Sequence, residues 1–520
     1  MKTKDFCISL GLFGLVVAGS VLVSCTERNT PSDPSGSDTT TSVDTAVSPT
    51  DTTIVTTDTI RITWSGSSAS IEGTNSKVSV SETNGYVTIN STVKDITYVL
   101  SGSGNGQLSI YSTNRLQLQL NGLSLTCSDG PAINNQCKKS CFVVLNGTNS
   151  LSDAANYATS DEDRKAAFFS EGQMIFSGSG SLNVTGNYKH AIASDDYIQF
   201  AESTGSLVLS APNDGLHAND GIYIDGGTFT ITAGNDGVQC DSIIIINGGA
   251  LDITATDKGI VDSLGIAING GTIRISSAYK CIKTKANLVI TGGDVQVVCT
   301  GTSSGGGGGR PGGPGNWGGG SSSSSPEGIE AKGTITISGG KVYAQANDDA
   351  INSGGDMTIS GGCVMAYSTG NDGIDANGNC YIKGGLVYAI GASSPEVAID
   401  ANTEERKQLY VQGGTIVAIG GLENGSSLTQ ACYQAGSWDQ NTWYALTVGS
   451  EVFAFKTPAS GGSTLVVSGV STPTLQSNVS AEGTSIFNGY GYYPATTSGG
   501  SKVTLSSYTG GNGGGRPGGR

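Results

Sequence analysis

Residues 213–249 read NDGLHANDGIYIDGGTFTITAGNDGVQCDSIIIINGG. An Asn-Asp-Gly turn leads into an apolar run, a Gly-Gly corner and a second apolar run, and then the unit begins again. The Gly-Gly pair recurs at Gly226-Gly227, Gly248-Gly249, Gly270-Gly271 and Gly292-Gly293, in steps of 22 residues. After a step of 47 it returns at Gly339-Gly340, Gly361-Gly362, Gly384-Gly385 and Gly413-Gly414. A fixed period of this kind marks a stacked repeat, in which each unit buries its apolar face against its neighbours. Runs such as Ile222-Tyr223-Ile224, Phe229-Thr230-Ile231 and Ile335-Thr336-Ile337 alternate in and out with period two. The unit is too short for a propeller blade and has neither a helical half nor a leucine-rich consensus. It predicts an all-β chain, each repeat being one coil of a parallel β-helix whose equivalent positions stack about 4.8 Å apart.

Composition agrees. Of 520 residues 80 are glycine and only 13% are charged, which suits many short strands joined at Gly corners. The net charge of −16 argues against nucleic acid and against an electrostatic grip on anionic lipid. The cysteines show neither CxxC nor zinc-like spacing and read as buried thiols, with Cys137 and Cys141 able to form a local bridge.

In chain order, residues 1–25 read as a lipoprotein signal: Lys2 and Lys4, an apolar core, then Leu22-Val23-Ser24-Cys25. Cleavage there would leave Cys25 to carry lipid at the bacterial cell envelope, the outer membrane or cell surface. Residues 26–58, rich in Thr, Ser, Asp and Pro, read as a flexible tether. Residues 59–187 alternate with irregular spacing and read as early coils carrying loops, while 188–421 form the regular stack. Residues 301–326, rich in Gly and Ser, account for the long step as a loop bulging from one coil. From 422 to 520 the repeat fades and aromatics concentrate, among them Trp438, Trp443, Tyr444, Phe453, Phe455, Phe487 and Tyr490. An open solenoid end must be covered, so this part reads as a β capping region with a Gly-rich tail.

Aligned coils place Asp214, Asp236, Lys258, Lys280, Glu327, Asp349 and Asp372 in one column. A second column reads His217, Gln239, Val261, Lys283, Glu330, Asn352, Asp375 and Asp400. Like charges on adjacent strands destabilise a sheet unless something bridges them. Asp348, Asp349, Asp372, Asp375 and Asp400 gather near one edge of the last coils, with Asp214 and Asp236 at the other end of the column. Such oxygen donors suit a hard cation, calcium before magnesium; the alternative is that each Asp serves only its own turn. Lys258, Lys280, Lys283 and Lys285 form the one basic patch, either a site for carboxylates of an acidic polysaccharide or partners for Asp236, Asp257 and Glu327. No Ser-His-Asp or two-carboxylate hydrolase motif is recognisable, and no catalytic residue is assigned.

A series of motifs carries a resemblance. It comprises Ile62-Thr63-Trp64-Ser65-Gly66, Leu120-Asn121-Gly122, Gly130-Pro131-Ala132-Ile133, and Asp161-Glu162-Asp163 followed by Ala166-Ala167-Phe168-Phe169-Ser170. Gly178-Ser179-Gly180-Ser181-Leu182-Asn183-Val184 and His190-Ala191-Ile192-Ala193-Ser194-Asp195-Asp196 complete it. In this order they resemble the bacterial carbohydrate-binding β-helix lipoproteins, relatives in fold of the pectate lyases, over residues 60–520. The resemblance implies a right-handed parallel β-helix that binds calcium and plant cell-wall polysaccharides such as cellulose or polygalacturonate, without established catalysis. The expected function is therefore a monomeric, cell-surface polysaccharide binder. A calcium-dependent lyase acting on uronates and a non-glycan adhesin or structural protein are the alternatives.

Overall fold

The computed structural model describes residues 48–302 and 325–510. Cys25 and the signal, most of the tether, nearly all of the Gly/Ser-rich loop and the Gly-rich tail lie outside the described residues.

The chain winds into a parallel β-solenoid of about 12 turns with about 23 residues per turn. A regular coil has three strands, as in Leu216–Ala218, Gly221–Ile224 and Thr228–Ala233. The first strands of successive coils stack into a 13-stranded wall, parallel throughout except for the hairpin Val78–Thr83 and Tyr86–Ser91 at its start. The other two walls belong to one 30-stranded sheet, because Ile96–Asn105 and Leu116–Thr126 run through both without a break. The irregular residues before 188 are thus early turns of the same stack.

Period-two alternation gives one apolar face per strand, and that face points inward. Leu216, Val238, Ile260, Ile282, Ile329, Ile351 and Ile374 stack on the first wall; Ile222, Ile244, Ile266, Leu288 and Ile335 stack on the second. All are fully buried in one continuous core. Gly270 and Gly271 show why the corner needs two glycines. Gly271 has φ +86°, and a Cβ on Gly270 would sit 2.3 Å from the carbonyl oxygen of Asn269's neighbouring-coil equivalent, Asn247.

The C-terminal region does more than cover the end. Leu465–Ser468 pairs antiparallel with Thr415–Ile419 of the last coil, and Cys432–Ala435 and Leu505–Tyr508 extend that cover. Trp443–Val448, Glu451–Lys456, Thr474–Ile486 and Gly491–Val503 close into a small barrel. Tyr444, Phe453, Phe455 and Phe487 pack with Tyr343, Met365, Tyr388 and Val417 on the outer face of the third wall. Most aromatics of this region are therefore core, while Trp443 and Tyr492 are half-buried and stack on each other outside it. The core set explains why the late coils carry apolar residues outside as well as inside.

Residues 48–57 of the expected tether depart from a free chain. Ser48 donates to Asp225 at 2.7 Å, Gln199 donates to the Pro49 carbonyl at 2.8 Å, and Arg115 pairs with Asp51 at 3.1 Å. Side-chain hydrogen bonds from the solenoid hold this segment, whose Val55 stays exposed. The nine described cysteines are free thiols, so Cys137 and Cys141 form no bridge.

Candidate functional site

The register confirms both polar columns of the first wall: Lys258 lies opposite Lys280, Lys280 opposite Glu327, Lys283 opposite Glu330 and Asn352 opposite Asp375. At four corners before first-wall strands a backbone N–H faces the previous coil, and a column carboxylate accepts it. Asp214 accepts from Asp236 N at 3.2 Å, Asp236 from Lys258 N at 2.9 Å, Asp349 from Asp372 N at 3.1 Å and Asp372 from Val397 N at 2.6 Å.

Along the column the charges are compensated in the middle and not at the end. Lys258 turns back to Asp236, at 3.4 Å, and to Asp257. Lys280, only 2% exposed, turns forward to Glu327 at 2.5 Å and Glu330 at 3.0 Å. Lys283 and Lys332 also pair with Glu330. Opposite turns of adjacent lysines remove the repulsion between them. The basic patch is thus largely spent on its neighbours: Lys280 is closed off from solvent, Lys258 and Lys283 are half-buried, and Lys285 donates to Ser263 at 3.2 Å. Burial would lower the Lys280 and Lys258 pKa values, but the adjoining carboxylates outweigh it and hold both above the ordinary lysine range.

Beyond Glu327 the acids run on alone. Asp348, Asp349, Asp372, Asp375 and Asp400 come together as neighbours, and among the described residues none forms an ion pair with a base. The Asn352 amide reaches Asp349 at 2.9 Å and Asp375 at 3.4 Å, and the Asn371 amide donates to Asp348 at 2.8 Å. Burial, then Asp375, Asp348 and Asp372, push Asp349 well above the usual carboxylate range. Burial, then Glu396 and Asp375, raise Asp372 to about 7, and burial with Asp348 and Glu396 raises Asp375 to about 6. Asp400 is raised by burial, then by the adjoining Glu423 and by the charges of Asp372 and Asp375. Glu396 and Glu423, absent from the columns drawn from sequence, join the array; they follow Asp372 and Asp400 by one further coil.

Asp214 and Asp236 are separated from this array by Lys258, Lys280 and Glu327 and have partners of their own. Asp214 sits among His190, His217 and Asn235. A groove on the third wall also escapes a reading by period: about 330 Å³, it lies between Arg274, Asp294, Lys341 and Tyr343 and the turn Phe487–Gly489 of the barrel. No periodic signal ties those segments together, since one belongs to the repeat and the other does not.

Residues 83–373, more than half of the sequence, match the family described as carbohydrate-binding domain-containing protein. The chain belongs to this family. Asp348, Asp349 and Asp372 fall within the matched part, and Asp375 and Asp400 just beyond it. Among solved structures, a polysaccharide lyase-like protein from C. thermocellum, in a gadolinium derivative, is 26% identical, covering 45% of this chain and 96% of that one with a TM-score of 0.41. No curated protein matches the chain. The family assignment makes this a carbohydrate-binding β-helix protein.

Proposed function

We propose that this is a non-catalytic, cell-surface binder of an acidic polysaccharide, gripping it through calcium held by Asp348, Asp349, Asp372, Asp375 and Asp400. The observation that supports this reading is the pattern of charge along the column: each acid up to Glu327 has a basic partner, and the array beyond it has none among the described residues. A divalent cation would relieve the repulsion and the burial penalty together. Loosely spaced oxygen donors of mixed carboxylate and amide type suit calcium, whose shell is flexible and admits outside ligands. A uronate carboxylate is a natural further ligand, and Lys283 and Lys285 flank the same wall toward the middle of the stack. Lipidation of Cys25 would display the wall outside the cell.

A lyase would need a base that is neutral near neutral pH. Lys258 and Lys280 are held in the charged form by their acids, which favours binding over β-elimination at this patch.

The test is co-sedimentation with polygalacturonate in calcium and in chelator, with absorbance followed for unsaturated uronate. Calcium-dependent capture without product is expected. Rising absorbance would establish the lyase, and failure to bind any glycan on an array would point to the non-glycan partner.

A further inference from the structure

The chain has only two histidines, His190 and His217, and the fold brings both to Asp214. Ile192 pairs with Leu216 and Ala193 with His217, so His190 stands directly before Asp214 in the first column, one coil earlier. His217 lies three residues after Asp214 in the chain. One donor atom from each of the three side chains falls within 4.8 Å of the others. The two rings stack with centroids 4.2 Å apart, and each Nδ1 is 3.0 Å from Asp214 Oδ2.

The carboxylate is positioned for a ligand. Its Oδ1 is anchored by the Asn235 amide at 2.8 Å and by Asp236 N at 3.2 Å, which leaves Oδ2 directed at the imidazoles. Metal-binding side chains are commonly held by such outer partners. His190 supplies the independent observation. It is 1% exposed, and neither of its ring nitrogens has a hydrogen-bond partner, the Asp214 oxygen being close to Nδ1 but poorly aligned. A buried imidazole without a well-aligned hydrogen-bond partner bears a desolvation cost, which the Asp214 carboxylate beside Nδ1 offsets only in part.

We propose that His190, Asp214 and His217 form a binding site for a divalent transition-metal ion, zinc by the chemistry of its donors. Two imidazole nitrogens and one carboxylate oxygen are a borderline-soft set, which suits zinc and not calcium. Zinc bonded at about 2.0–2.2 Å separates tetrahedral donors by roughly 3.3 Å, within reach of small side-chain rotations here. The ion would clamp two coils together where the regular stack begins. Asp236, Lys258, Lys280 and Glu327 separate the site from the acidic array, so it stands apart from the calcium proposal.

The full chain, stripped with chelator and dialysed, is titrated with zinc chloride against a chromogenic competitor and, separately, with cobalt chloride under visible spectroscopy. One tight equivalent of zinc, retained in excess calcium, and cobalt bands of a low-symmetry nitrogen–oxygen site are expected. His217→Gln should weaken zinc by more than about 100-fold, since loss of an outer partner alone costs about 10–100-fold. That variant should fold, because Gln239 already fills the next position of the column; circular dichroism checks this. Asp372→Asn should leave zinc uptake unchanged. No stoichiometric uptake, or uptake unaltered by His217→Gln, would overturn the proposal.

Discussion

Asp349 accepts the backbone N–H of Asp372, the equivalent residue of the next coil, through Oδ1 at 3.1 Å. The same bond recurs from Asp214 to Asp236 and from Asp236 to Lys258. It explains how acids come to stack on acids: each is a charge-assisted acceptor worth about 1.5–3 kcal/mol for an N–H the corner leaves unpaired. The carboxylates thus serve the fold first, and on the proposed function their crowding is what a bound cation would relieve.

That double role separates two substitutions. Asp349→Asn keeps an oxygen for Asp372 N while removing charge, so in chelator its Tm should equal or exceed that of the parent. Its calcium-induced rise in Tm should shrink. Asp349→Ala strands the N–H and should cost about 1–3 kcal/mol in either condition. Thermal melts in chelator and in calcium check both.

The raised carboxylates also set a pH dependence. Asp372, at about 7, binds a proton in the folded state that the unfolded chain has released above about 4. Between those values the folded state holds more protons, so this group makes stability fall as pH rises, by at most about 1.4 kcal/mol for each pH unit. His190, lowered to about 4 by burial, acts in the opposite direction below its ordinary value of 6.5. The difference between the parent and Asp372→Asn cancels the histidine. In chelator, the variant should gain on the parent steadily from pH 4 to 7, and calcium should abolish that gain. Denaturation midpoints taken across this pH range check it.

Lys280 makes a contrast with Lys285. Lys280→Met leaves Glu327 and Glu330 buried beside each other and should destabilise by about 3–5 kcal/mol. Lys285→Ala removes a side chain at the surface and should stay within about 0.5 kcal/mol. Chemical denaturation of the two variants, side by side, checks whether the basic patch is structural at its centre.

The Gly-Gly corner is legible in the sequence because its two requirements recur every coil. Gly271→Ala puts a Cβ at φ +86° and should cost more than about 1 kcal/mol, measured by its denaturation midpoint. Column membership is equally legible, since period and register are one fact in a solenoid: counting aligns Lys258 with Lys280, and the sheet pairs them. The zinc candidate is not visible by counting, because His190 precedes Asp214 by 24 residues, outside the regular step, and a column drawn from the period starts one coil late. The side-chain turns of Lys258 and Lys280 toward opposite neighbours cannot be counted from a period. Nor can the docking of the barrel, because Phe453 and Tyr388 meet across segments that share no repeat.

The central claim is that the acids from Asp348 to Asp400 hold calcium. Isothermal titration of calcium into the chelator-stripped chain, compared with an Asp349→Asn, Asp375→Asn double variant, tests it most directly. The account predicts saturable heat in the parent, lost or weakened by at least tenfold in the variant. Equal heats in the two proteins, or none in the parent, would contradict it.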